Sequence, residues 1–245
     1  MSSPHYRRIL LKLSGEALKG KEPFGVDPDL LHDLVGDVAE LHAMGVQIGL
    51  VIGGGNYFRG AQASWMERTS ADYVGMMATI MNGVTFRAAC HKRGLPCSLF
   101  SGLQVEGVAR GYNQLEVTEA FERGDVVIFS GGTGHPFFST DTAAALRAGE
   151  IGAELLIKAT QVDGVYDADP RTHPEAKRFD KLDYLYLLQH DLRVMDATSV
   201  SFCREYQIPI LVFDLSTKGN LKRAVLGENV GTIICHQAER PVEDL

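Results

Sequence analysis

The chain has 245 residues, 45% hydrophobic and 22% charged, enough for one substantial core and too apolar for a disordered chain. Lys and Arg number 24 against 31 Asp and Glu, a formal net charge of -7, which excludes a general nucleic-acid binder because such a protein needs a basic footprint. Cys90, Cys97, Cys203 and Cys235 lack CxxC spacing and read as free thiols in a reducing compartment, not as zinc ligands or a disulfide framework.

Residues 1–8 are polar, without the apolar region of a signal peptide. The longest apolar stretch, 46–52, is far below the roughly 18 residues that a membrane span needs. The expectation is a cytoplasmic protein without a membrane partner. RILLKL at 8–13 predicts the first strand. Asp27 and Pro28 then read as N-cap and first helical residue, followed by Leu30, Leu34, Val38 and Leu41 on one helical face. Gly45 ends that helix and QIGLVI at 47–52 is the second strand. A long helix over about 71–92 carries Tyr73, Met77, Ile80, Met81 and Val84 on one face. Strands are expected at 95–100, 125–129, 155–158, 210–213 and 232–235. Helices are expected near 115–123, 140–149, 182–188 and 197–206. Strands alternating with helices imply a mainly parallel sheet covered on both faces, an α/β three-layer αβα sandwich, within a single domain over 1–245.

In such folds ligands bind beyond the carboxyl ends of the strands. Gly-rich turns follow three strands: Ser14-Gly15, Gly53-Gly54-Gly55, and Ser130 through Gly134. Two common phosphate motifs fail here. Gly15 to Lys21 nearly matches GxxxxGK[ST], but Glu22 stands where the magnesium-binding hydroxyl belongs, and Pro23 and Gly25 follow where a helix is needed. GxGxxG fails at Phe58 and at Phe137. A glycine run still lets backbone N–H groups approach an anion. Lys12 at the carboxyl end of a buried strand and Arg59 just past Gly55 are the cations placed to join them.

ILLKLSGEAL at 9–18, VIGGGNYFRG at 51–60, GGTGHPFFSTD at 131–141, IKATQVDGVYDADP at 157–170 and RVMD at 193–196 together resemble the bacterial uridylate kinases of the amino acid kinase superfamily. The resemblance implies the reaction MgATP + UMP ⇌ MgADP + UDP, in pyrimidine nucleotide biosynthesis, with no metal ligands assigned on the protein. By similarity Lys12, Arg59 and Asp141 are catalytic, Asp141 orienting the cations. Lys12, Leu13, Ser14, Gly15, Gly55, Arg59, Thr160, Tyr166 and Asp169 hold ATP. Gly54, Arg59, Asp72 and the loop Thr133, Gly134, His135, Pro136, Phe137, Phe138, Ser139 and Thr140 hold UMP, with Asp72 on the ribose hydroxyls. Residues 8–150 would be mainly the UMP half and 151–235 the ATP half. Asp196 belongs to the catalytic surroundings, and His135 replaces an Asn that many members carry.

The same resemblance implies a homohexamer, GTP as activator and UTP as inhibitor. Gly20, Lys21, Glu22, Pro23, Phe24 and Gly25 align with the activation loop, although their composition alone is that of an ordinary turn. Met76, Met77 and Met81 read as core or as a subunit seam. Asp72 has an alternative role as helix N-cap, and Asp167 to Pro170 as a helix-capping turn. Two other functions share the fold: a kinase for a small carboxylate or carbamate, and an ATP-binding metal-oxyanion store. Lys12, Arg59, Asp72 and Asp141 together, and scattered histidines, speak against the store.

Overall fold

The computed structural model describes residues 3–60, 63–160, 162–170, 172–192 and 194–236. Gln161 and Arg193, within two of the motifs above, lie outside the described residues. In chain order the elements are β1 (Arg8–Leu13), α1 (Glu16–Lys19), α2 (Pro28–Ala43), β2 (Gln47–Ile52), α3 (Arg68–Lys92), β3 (Cys97–Ser101), β4 (Arg110–Gly111), α4 (Gln114–Glu122), β5 (Val126–Ser130), α5 (Thr140–Glu150) and β6 (Leu155–Thr160). They continue as β7 (Val165–Tyr166), β8 (Arg178–Phe179), β9 (Lys181–Leu182), α6 (Tyr184–Gln189), α7 (Ala197–Glu205), β10 (Ile210–Asp214), α8 (Asn220–Val225) and β11 (Gly231–Ile234). Among the described residues no helix is long and apolar enough to cross a membrane.

Nine strands form one sheet in the order β4-β3-β5-β2-β1-β6-β10-β11-β9. All its pairings are parallel except β10 with β11. β7 and β8 make a separate antiparallel hairpin. Side chains alternate across a strand, so Ile9, Leu11 and Leu13 join Val38, Phe86 and Leu221 on one face, while Leu10 joins Ala144, Val200 and Tyr184 on the other. The result is the expected αβα sandwich, with α2, α3 and α8 covering one face and α4 to α7 the other.

Caps set the helix starts. Asp27 accepts from the N–H groups of Asp29 and Leu30, with Pro28 as the first helical residue. Asn113, Ser139, Asp183 and Asp196 cap α4, α5, α6 and α7 in the same way. Three expectations shift. The region expected to be helical from 182 is strand β9 first, and the helix waits for the Asp183 cap. Leu30 is half-exposed while Leu31 takes the buried position.

The third shift concerns α3, which starts at Arg68, a turn before the expected residue 71. Its buried face is Met76, Thr79, Ile80, Gly83, Phe86 and Cys90, while Tyr73, Met77 and Met81 are exposed. Small residues face the sheet because the backbone comes close there: a Cβ on Gly54 would stand 2.8 Å from both Ala78 Cβ and Gly75 O. Of the methionines read as core or seam, only Met76 is in the core.

Candidate active site

β1 and β6 are neighbours, and their register sets Lys12 directly beside Lys158. Lys12 shares the parity of Leu10, so it points to the α5 face, and it is only 8% exposed. Two buried ammoniums side by side repel and need an anion between them. Asp141, in the first turn of α5, supplies it: Oδ1 faces Lys12 Nζ at 2.7 Å and Oδ2 accepts from Lys158 Nζ at 2.7 Å. Lys158 also donates to the Val194 carbonyl. The Lys12 contact is an ion pair off hydrogen-bond angle, leaving Oδ1 without a donor in line.

Burial pushes the Asp141 carboxyl up, but the Lys12 and Lys158 ammoniums outweigh it and hold the group below its ordinary value. The α5 N-terminus adds a favourable dipole. Burial lowers Lys158, helped by Lys12 and opposed by Asp141. This +2/-1 cluster, at the carboxyl ends of two central strands, is suited to stabilising negative charge on a transferring group.

Asp196 stands next to it in a supporting role. Its carboxylate accepts from Ser139 Oγ and from Thr142 Oγ1 at 2.9 Å, and from the Ser199 N–H. It therefore ties the start of α7 to the first turn of α5, which carries Asp141.

The glycine turns interlock. Gly53 N–H donates to Leu13 O at 2.9 Å. A Cβ on Gly15 would stand 2.7 Å from Gly55 N and 2.5 Å from Asn56 Oδ1. Only glycine lets the two turns touch, and their N–H groups lie beside the Lys12 strand end. Ser14 Oγ accepts from Ala17 N–H, opening the single turn α1. One helical turn thus follows Gly15, and it ends before Lys21, where a GxxxxGK[ST] loop would begin its helix. Leu13 is wholly buried, so only its backbone reaches the site. Arg59 is ion-paired to Glu16, which also pairs with Lys19.

The loop from Gly131 to Phe138 is pinned to α3 at two points. Gly131 N–H donates to Thr79 Oγ1 at 2.7 Å, and Phe137 N–H donates to Asp72 Oδ2 at 2.8 Å. Asp72 lies one turn inside α3, and the N-cap position belongs to Glu67, which removes the capping alternative. His135 is exposed, its N–H on Thr133 Oγ1, and Phe137 and Phe138 are exposed apolar surface.

On the other side of β6, Thr160 Oγ1 donates to Val162 O, and Tyr166 OH donates to Asp163. Asp169 O accepts from Thr172 and His173 in a turn that leads to β8, not to a helix. A cavity of about 580 Å³ opens beside Thr160 and Glu16, reaching Leu215, Ser216 and Lys218 after β10 and Leu34 and Asp37 on α2. Gly20 to Gly25 borders it: Gly20 lines the cavity, Phe24 is exposed, and Gly25 exchanges hydrogen bonds with Asn56. Lys158, Lys218 and Glu16 are site-lining residues that sequence reasoning missed. Among the described residues no three His, Cys, Asp or Glu side chains gather to hold a metal ion.

Residues 7–214 match the model of the amino acid kinase family. A UMP kinase from Bacillus anthracis has a TM-score of 0.92 at 33% identity, over 95% of this chain and 97% of that one. A UMP kinase from Ureaplasma parvum gives 0.89 at 32% identity, over 94% and 98%. A uridylate kinase from Archaeoglobus fulgidus gives 0.72 at 27% identity, over 93% and 99%.

Proposed function

We propose, for a chain that belongs to the amino acid kinase family, that it is a nucleoside monophosphate kinase moving the γ-phosphoryl group of MgATP onto UMP to give UDP. The observation that carries this is the buried Lys12–Asp141–Lys158 cluster at the strand ends, beside the interlocked glycine turns. Phosphoryl transfer needs little covalent help; positioning and charge stabilisation do most of it. Lys12 neutralises charge that develops on the phosphoryl oxygens, and Asp141 holds both ammoniums in place. Magnesium arrives with ATP as part of the substrate. The N–H groups around Ser14, Gly15 and Gly55 cradle the ATP phosphates, and Thr160, Tyr166 and Asp169 hold the adenosine half. Lys218 and Glu16, on the wall of the adjoining cavity, extend that half.

On the other side, Gly54, Arg59 and Thr133 to Thr140 hold UMP, and Asp72 accepts its ribose hydroxyls. Arg59 must leave Glu16 to reach a phosphate. Residues 8–150 thus serve mainly the acceptor and 151–235 mainly the donor.

The GTP-activation reading of Gly20 to Gly25 gains support from its tie through Asn56 to the Gly53–Gly55 turn, a route from loop to site. UTP, a triphosphate of the same nucleoside, is the matching inhibitor. The chain is read as a homohexamer in the cytoplasm serving pyrimidine nucleotide synthesis, and the exposed Tyr73, Val74, Met77 and Met81 on α3 support that helix as a seam between copies.

A coupled ADP-release assay with UMP, CMP, carbamate and acetylglutamate tests the reaction. Turnover should be highest with UMP by at least about tenfold, as expected of a site that hydrogen-bonds one base. Turnover with carbamate or acetylglutamate alone, or ATP binding without turnover on any acceptor, would sink it.

A further inference from the structure

We infer that Arg68 is a positioning residue for nucleotide recognition, acting through Asp72 and the strained backbone of Phe137. The inference rests on the reading of Asp72 as the ribose acceptor and adds a residue to it. Arg68 opens α3 and Asp72 follows one turn later, so the two share a face. Arg68 Nε lies 2.9 Å from Asp72 Oδ1 and 2.8 Å from Oδ2. One N–H therefore sits astride both oxygens.

That geometry matters because the last torsion of an aspartate is broad and nearly two-fold. A free carboxylate in this position would rotate. The astride contact fixes its plane, and with it the lone pairs that remain. A carboxylate has about four acceptor positions. The Arg68 N–H takes the inner pair and Phe137 N–H takes one on Oδ2 at 2.8 Å. What is left is about one directed position, on the outer side of Oδ1, which the two adjacent hydroxyls of a ribose would have to share.

The second strand of the inference is Phe137 itself. Its φ is 71°, a left-handed conformation that is rare and costly for a bulky side chain. Asp72 holds it by the N–H bond, and the Arg68 guanidinium covers its ring at 5.6 Å. One side chain thus orients the carboxylate and clamps the loop that the carboxylate holds. Stability alone gives no reason for the arrangement, since Arg68 is 62% exposed and exposed i,i+4 pairs contribute little. Its value lies in orientation.

The test is steady-state kinetics on the full chain with UMP, dUMP and ATP. In Arg68→Ala, the KM for UMP should rise about tenfold and the UMP/dUMP preference fall about fivefold, with kcat and the ATP KM within about threefold and an unchanged melting curve. Arg68→Lys keeps the charge but cannot lay one planar N–H across two oxygens, so it should recover less than half of the loss. In an Asp72→Ala background, Arg68→Ala should add less than about twofold, because residues that act as a unit are non-additive. An unchanged UMP KM and UMP/dUMP ratio in Arg68→Ala would overturn the inference, as would effects that multiply in the double variant. Either result, with wild type active on UMP, leaves the reaction standing. A wild type that phosphorylates another acceptor and not UMP overturns the reaction and this inference with it.

Discussion

Lys12 and Lys158 show where sequence patterning is sufficient and where it is not. A lone lysine inside ILLKL is legible as a ligand group because a strand buried on both faces has nowhere else to put a charge. Lys158 ends LLIK and reads as the polar end of a strand. Its importance depends on β6 lying beside β1, and strand order is not written in any local pattern. Asp141 was legible through resemblance, but its two-sided pairing was not. From that pairing, Lys12→Met should lower kcat by about 10²-fold or more with the fold retained, since charge stabilisation in the transition state is lost; stopped-flow or coupled turnover with a circular dichroism control measures it. Asp141→Asn leaves two ammoniums unpaired and should cost about 3–5 kcal/mol near neutral pH. The pH dependence has a definite sign. The carboxyl is held below its ordinary 3.8 in the folded protein, so its contribution is complete above that value and is lost as pH falls through the depressed one. Urea unfolding from pH 7 down to pH 3 should show a constant gap between wild type and Asp141→Asn, narrowing only below about pH 4; a gap that closes between pH 7 and 5 would contradict the assignment.

Elements were legible where caps and periodicity agree, as for α2 with Asp27 and Pro28. They were less so for α3. Its stripe with Met77 and Met81 reads in sequence as core or as a subunit seam, with nothing local to choose between them. The sheet takes the small-residue stripe instead, since Gly54 requires close approach to Ala78. The two-residue strands β4, β7, β8 and β9 have no periodicity to detect, because two residues cannot define one. The Gly20–Gly25 segment is a case where composition says only turn, while the structure adds its tether through Asn56 to Asn82 and the glycine turn. Replacing residues 21–24 with Gly-Ser sequence, leaving Gly20 and Gly25, should abolish any GTP activation while basal turnover stays within about threefold. Titrating GTP into both proteins at fixed ATP decides it, and an equal response would return the segment to a plain turn.

At the scale of the molecule, the αβα layering was legible because alternating strand and helix patterns leave few other solutions. A seam between copies has no such local signature, since an outward apolar stripe looks the same in sequence as a buried one. If α3 is a seam, Met77→Glu with Met81→Glu should lower the mass seen by light scattering from assembly to smaller species, with the monomer fold intact because both side chains are already exposed. The position of β1 has a further consequence, for synthesis on the ribosome. β1 is the first strand made, yet its partner β6 begins at Leu155, so one side of β1 waits while most of the chain emerges. Until then the backbone groups of Ile9 to Leu13 form an open edge in an apolar strand, the kind of template that recruits other chains. A nascent product stopped near residue 150 should therefore aggregate, and so should one stopped near residue 200, where β6 in its turn waits for β10; one extended past Ile234 should not, and sedimentation of stalled chains reads the difference.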